Sequence, residues 1–369
     1  MLKIIIYCTI VCATTISIQQ ISSEKHSDHI NTSIGTQRNI SSGSDDQQCT
    51  CVQYYNCREV KTEESIDPIV SYSSCSSYLD VCCEKGNIIN ESTSTEVQTG
   101  CGYRKPVGFS IATVHEDETS FGEFPWMIAV LAEKSNLTEY KCGGALIHPK
   151  VVITGAHCVY KKNNTFMIRA GEWDSLSDKE IYPHQDRLVK QIIIHPQYNS
   201  SVLYNDIALL VLESPVEIAE NINVICLPLQ DADYDNSRCL TTGWGKDVFG
   251  KEGRFQALMR KSDLPIVPLD KCSEDLRKTR LGDTFRLHDS FLCAGGENRS
   301  DTCRGDGGSP LVCPISGQKD RYVQMGITSW GINCGGLNTP SVYVNVAKFR
   351  NWIDSQMELM NITYRPYIY

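Results

Sequence analysis

Three stretches carry residue types that could act on an acyl bond. Thr154-Gly155-Ala156-His157-Cys158 offers an imidazole. Asn205-Asp206-Ile207-Ala208-Leu209-Leu210 offers a carboxylate at the head of an apolar run. Cys303-Arg304-Gly305-Asp306-Gly307-Gly308-Ser309-Pro310-Leu311-Val312-Cys313 is a glycine-rich loop with one hydroxyl, Ser309. A serine hydrolase needs a base beside its nucleophile, a carboxylate orienting that base, and donors for the oxyanion. A lone His or Asp is more often structural. Both motifs in this order, with the glycine loop downstream, make chance a poor account.

The three stretches resemble those of chymotrypsin-type serine proteases, whose triad runs His, Asp, Ser. In that family a Gly-Asp-Ser-Gly-Gly-Pro run presents the attacking hydroxyl. The resemblance puts His157 at the base position, with Gly155 replacing the usual alanine, and Asp206 at the carboxylate position. The nucleophile position holds Gly307. Ser309 stands two residues late, where the family has a glycine without catalytic role. Two residues of chain displace a side chain by up to roughly 7 Å, and attack requires atoms about 3–3.5 Å apart. Ser309 is therefore not expected to replace the nucleophile. Loss of such a serine costs on the order of a million-fold in turnover. The Gly305 and Gly307 amides would still form an oxyanion hole, but His157, Asp206 and Gly307 are expected to be vestigial positions and the chain a non-enzyme.

Activation chemistry departs as well. Active relatives are cut after Arg or Lys, and a new Ile-Val-Gly-Gly terminus pairs with the aspartate matched here by Asp306. Counting back from Phe124-Pro125-Trp126, that terminus falls near Thr113-Val114-His115-Glu116, with no Lys or Arg before it and no Gly-Gly. The resemblance also matches Asp301 to the acidic pocket floor of trypsin-like members and Ser329-Trp330-Gly331 to the pocket wall. Ser341 replaces a glycine that leaves room in the pocket. Inheritance of the fold explains this remnant as well as weak binding of a basic side chain does. Glu172-Trp173-Asp174, with Asp178 and Glu180, falls where some trypsin-like relatives hold calcium; oxygen ligands suit Ca²⁺, and a solvated acidic loop is the equal alternative.

These groups need a scaffold. From Cys101 on, short apolar runs alternate with turn signals: Trp126–Leu131, Ala145–Ile147, Val151–Ile153, Gln191–Ile194, Ile207–Leu212 and Val323–Ile327. Such spacing predicts an all-β barrel or sandwich. Val346–Ile353 has apolar residues at helical spacing and predicts a terminal helix. The resemblance sharpens this to an all-β, chymotrypsin-like double six-stranded β-barrel with a C-terminal helix, over residues 101–369. It pairs Cys101–Cys226, Cys142–Cys158, Cys239–Cys313, Cys272–Cys293 and Cys303–Cys334.

Upstream, Cys49, Cys51, Cys57, Cys75, Cys82 and Cys83 crowd a stretch with few apolar residues, which must be stapled rather than packed. No His lies among them, and secretion favours disulfides over zinc. This stretch resembles the clip domain of arthropod serine proteases and their homologues, which implies Cys49–Cys82, Cys51–Cys75 and Cys57–Cys83. Residues alone leave many connectivities open. Residues 21–48 and 84–100 are polar, flexible segments around a clip at 49–83.

Residues 1–20 read as a secretory signal: Lys3, the apolar Ile4–Ala13, then small residues. Of eighteen cysteines, Cys8 and Cys12 leave with it, and the even remainder suits an oxidising compartment. Sequons at Asn31, Asn39, Asn90, Asn136, Asn163, Asn199, Asn298 and Asn361 mark glycosylation candidates. Net charge is -9 with dispersed basic residues, which argues against nucleic-acid binding. After the signal no apolar run is long enough for a membrane span.

Together the chain resembles arthropod clip-domain serine protease homologues of the masquerade-like group. That resemblance implies an extracellular, haemolymph cofactor in prophenoloxidase activation (melanisation). Its partners would be prophenoloxidase and clip-domain activating proteases, and it would oligomerise after a cut. Arg58 and Lys61 are the candidate cleavage sites. No cofactor is required. A venom-type decoy that suppresses melanisation and an extracellular adhesive or matrix protein are the competing readings.

Overall fold

The structure is a computed structural model. It describes residues 49–53, 80–88, 100–106, 117–134, 137–161, 164–176, 180, 182–245, 255–297, 307–332 and 338–369. The signal, the leader and most of the clip stretch, with Cys57, Arg58, Lys61 and Cys75, lie outside the described residues.

Within the clip stretch, β1 (Cys49–Gln53) and β2 (Asp80–Glu84) pair antiparallel, with Cys51 opposite Cys82 and Thr50 opposite Cys83. Cys51 and Cys83 are disulfide-bonded.

Six strands close the first barrel: β3 (Met127–Lys134), β4 (Leu137–His148), β5 (Val151–Thr154), β6 (Thr165–Ala170), β7 (Gln185–Ile194) and β8 (Ala208–Leu212), in the order β3-β4-β5-β8-β7-β6. Ile128, Val130 and Ala132 join one apolar cluster, while Met127, Ala129 and Leu131 join another. That is the two-residue period of a pleated strand buried on both faces. The second barrel comprises β9 (Arg238–Gly243), β10 (Arg260–Val267), β11 (Phe291–Gly295), β12 (Pro310–Pro314), β13 (Tyr322–Trp330) and β14 (Pro340–Asn345), ordered β10-β11-β14-β13-β12-β9. Both sheets are antiparallel throughout. The double-barrel expectation holds.

Among the described residues three α-helices decorate the barrels: α1 (Ala156–Val159), α2 (Leu269–Arg277) and α3 (Arg350–Leu359). The predicted terminal helix over Val346–Ile353 is corrected at its start. Val346–Phe349 is a 3-10 turn, and the α-helix runs from Arg350. Apolar spacing fits both windings at this length. Ile353 and Met357, one helical turn apart, are fully buried. Beyond the helix, Tyr367 is also buried; its carbonyl accepts from Leu227 N (3.0 Å), and its hydroxyl donates to Asp354 (2.7 Å).

Disulfides join Cys101 to Cys226, Cys142 to Cys158, Cys239 to Cys313 and Cys272 to Cys293. Cys303 and Cys334 lie outside the described residues. The segment at Cys101 is held by more than its bond. Arg104 Nε donates to Glu123 (2.9 Å), a fully buried carboxylate that also takes Lys261 Nζ (3.0 Å). A buried charge with two cationic donors avoids the penalty of an unpaired one.

Candidate active site

The first barrel supplies the imidazole and the carboxylate. Asn205, in the left-handed region (φ 54), turns the chain into β8 and leaves Asp206 at the strand entrance. Asp206 is fully buried. Its Oδ1 accepts from the His157 backbone N–H at 2.8 Å, its Oδ2 lies 2.7 Å from His157 Nδ1, and Ser329 Oγ donates to Oδ2 at 2.6 Å. A carboxylate only accepts, so Nδ1 carries the ring proton and Nε2, 3.4 Å from the disulfide sulfur of Cys158, is the unprotonated nitrogen. The contact to the backbone has a second function. Helix α1 starts behind Gly155 with no side-chain cap, and Asp206 satisfies one of the first-turn amides that every helix leaves open.

The second barrel supplies the loop that faces them. Gly307 O accepts from Gly143 N (3.0 Å), Gly308 N donates to Thr328 O (2.8 Å), and Thr328 N donates to Ser309 O (2.9 Å). The loop is thereby sewn to β4 and β13. A Cβ built at Gly307 would lie 2.5 Å from His157 Nε2. Position 307 therefore faces the unprotonated ring nitrogen, and no side chain is there. A Cβ at Gly155 would lie 2.7 Å from Nδ1 and Cε1 of the same ring. The imidazole occupies space next to two glycines that side chains there would claim. Real Cβ atoms do not approach this closely, so either added methyl would require His157 to move.

Ser309 is brought elsewhere. It is fully buried, and its Oγ has no hydrogen-bond partner. A Cβ at Gly143 would fall 1.9 Å from that Oγ, so the hydroxyl points at the β4 backbone rather than at His157. Gly308 between them has φ +83, and a Cβ there would meet Thr154 Oγ1 at 2.4 Å and Gly143 O at 2.5 Å. The loop is packed to the width of glycine.

Ser329, expected from the resemblance at the pocket wall, donates its hydroxyl to Asp206. Its neighbour Trp330 packs edge-on against Phe285 and Phe291 (centroids 6.3 and 6.0 Å). Gly331 continues past β13, and Ser341 is nearly buried in β14 opposite Ala294. Asp301, Gly305 and Asp306 lie outside the described residues, as do six of the sequon asparagines; Asn199 and Asn361 are described and exposed.

The acidic loop departs from its expectation. Asp174 does not join Glu172 and Glu180: its Oδ1 accepts from Leu176 N at 3.1 Å. Glu180 Oε1 accepts from the Trp173 and Asp174 amides (2.7 and 2.9 Å). Glu172 Oε2 takes Arg169 Nη1 at 3.1 Å, and His184 Nδ1 lies 3.6 Å away. The side chains that converge are Glu172, Glu180 and His184, a set the sequence reading missed because His184 lies across the loop. Calcium takes six to eight oxygens; among the described residues this set offers two carboxylates and an imidazole, with Arg169 already on one of them. Burial, with the Glu172 charge beside it, pushes the Glu180 carboxyl up to about 8. Asp178 lies outside the described residues.

Comparison with known proteins agrees with this architecture. The trypsin family profile matches residues 113–353, and the profile described as serine protease Clip domain PPAF-2 matches residues 38–84. The chain is 50% identical over 289 residues to a Galleria mellonella protein named phenoloxidase-activating factor 2, covering 75% of this chain and 95% of that one. Two Anopheles gambiae proteins are also similar. The one named inactive CLIP domain-containing serine protease A8 is 40% identical over 77% of this chain and 79% of its own length. The one named A28 is 38% identical over 78% and 80%.

Proposed function

The chain is a clip-bearing member of the trypsin family, and on that premise we propose that it is a secreted, non-catalytic protease homologue serving as a cofactor in the proteolytic activation of prophenoloxidase. One observation carries the reading. The position that faces His157 Nε2 is Gly307, where an added Cβ would fall 2.5 Å from the ring. An imidazole oriented by a carboxylate can take a proton only from a group that is there to give one. The single hydroxyl of the loop, on Ser309, is buried against Gly143.

The relatives' names support both halves of the proposal, inactivity and phenoloxidase activation. In this reading the clip is 49–83, the linker 84–100 and the protease-like domain 101–369. A trypsin-like enzyme cuts after Arg58 or Lys61, Cys49–Cys82, Cys51–Cys75 and Cys57–Cys83 keep the pieces joined, and the cut form oligomerises with prophenoloxidase and its clip-domain activating protease. No helix among the described residues is long and apolar enough to cross a membrane.

Reconstitution tests the proposal. Purified prophenoloxidase, its activating protease and this protein, uncut and after limited trypsin-like cleavage, are mixed and phenoloxidase activity is followed. A rise that depends on the cut form is expected. A fall below the control lacking this protein would replace the cofactor by a decoy, and no change would remove both.

A further inference from the structure

A cleft of about 230 Å³ opens beside His157. Lys141 and Lys161, both exposed, stand in its walls with Tyr198, Asn164 and Ser200, and among the described residues no carboxylate lines it. In a chain of net charge -9, this is a local reversal of sign. Asp206, the nearest buried acid, is taken up by His157 and Ser329. Among the described residues no ion pair holds either lysine; Lys161 Nζ lies over the Tyr160 ring at 5.8 Å.

The fold places both cations deliberately. In the β3–β4 ladder Val130 pairs with Cys142 and Leu131 with Tyr140, so Lys141 is the extra residue of a β-bulge. A bulge re-aims its side chain, and bulges concentrate at barrel rims near sites. Lys161 follows helix α1 directly. The Cys142–Cys158 bond ties the two lysine-bearing segments together, so the charges cannot drift apart. Tyr160 meets Tyr198 edge-on at 5.9 Å. The Tyr198 hydroxyl is buried without a hydrogen-bond partner, and its ring forms part of the cleft wall.

We infer that this cleft binds the carboxylate of an acidic side chain from a partner polypeptide. Two lysines give the charge, and Asn164 and Ser200 suit the neutral polar groups of a peptide. Clefts lined by one sign of charge with apolar walls focus the field on a counter-ion. The inference goes beyond the cofactor reading and does not require it, because binding is read on the purified chain alone.

The test is fluorescence anisotropy of a labelled tetraglutamate peptide with the full-length protein, and tetraglutamine as neutral control. Tetraglutamate should bind at least about tenfold more tightly than tetraglutamine. Lys141→Ala and Lys161→Ala should each weaken it about tenfold, as expected for hydrogen bonds to a charged group. Lys190→Ala with Lys319→Ala, exposed lysines elsewhere, should leave it unchanged. Equal binding of the two peptides, binding that survives the double Lys141/Lys161 substitution, or equal loss in the Lys190/Lys319 control would overturn the inference.

Discussion

In the first barrel, Asp206 accepts from the His157 amide, the His157 ring and the Ser329 hydroxyl while fully buried. In the second barrel, the loop facing it carries no side chain at 307 and is held by backbone bonds to Gly143 and Thr328. The two halves of the site are thus held in different ways. Asp206 is part of how a helix start and a strand entrance are satisfied, so its removal strands buried donors. At Gly307 itself the loop is held by main-chain bonds, so a side chain there would satisfy no buried partner.

The largest test of that contrast is Asp206→Ala. It orphans the His157 amide, the ring N–H and the Ser329 hydroxyl, which should cost about 3 kcal/mol of stability by the usual penalty for buried groups left unpaired. Urea unfolding measures it. A loss below about 0.5 kcal/mol, the range of neutral surface changes, would mean that the dyad is idle and the contrast empty.

Gly307→Ser probes the other half. If only the nucleophile were missing, restoring it would restore labelling by a serine-reactive fluorophosphonate. The ring already fills the space beside Gly307 and Gly155, so the added side chain must displace His157. The expected outcome is no adduct, no peptide hydrolysis and a stability loss of about 1–2 kcal/mol from overpacking. Covalent labelling of the variant would show that the site was one side chain from activity.

Much of this was legible in the sequence. The short apolar runs, each a local pattern, predicted an all-β barrel or sandwich, and the resemblance carried by the two motifs and the glycine loop sharpened it to the double barrel. What escaped reading is long-range. Ser329 lies 123 residues from the aspartate it bonds, and nothing in Ser329-Trp330-Gly331 distinguishes a pocket wall from a dyad partner. Asp174 was grouped with Glu172 and Glu180 by proximity in the chain, yet its carboxylate serves its own turn. The burial of Ser309 against Gly143, and of Tyr367 under Leu227 and Asp354, depends on elements that meet only after the barrels close.

The first barrel also holds a carboxylate with the opposite fortune to Asp206. Glu180 is pushed up to about 8, against an ordinary 4.5, by burial and then by Glu172. Between those values the folded chain binds the proton more tightly than the unfolded chain. Stability from this group is therefore full below about pH 4.5 and is lost as pH rises through about 8. Glu180→Gln, which cannot ionise, should flatten the fall in Tm between pH 5 and pH 8, an effect that appears only as a change of slope. An unchanged slope would assign the pH dependence elsewhere and leave Glu180 as well supported as Asp206.

Ser309→Ala gives the smallest effect and the finest discrimination between the halves. Alanine keeps the Cβ that packs near Gly143 and deletes only a hydroxyl that is buried without a partner. An unpaired buried hydroxyl carries a desolvation cost of about 1–3 kcal/mol in mutational data, offset where the site relaxes or admits water. The variant should be as stable as the parent or more stable by up to about 1 kcal/mol, read as a shift in urea midpoint at constant slope. A gain would mark the loop as a region where a poorly matched side chain has been tolerated, in keeping with a half of the site released from constraint. A loss of more than about 0.5 kcal/mol would mean that the hydroxyl works for the fold. Position 309 would then belong with Asp206, among the residues kept for structure, and the line between the two halves would run through the loop rather than between the barrels.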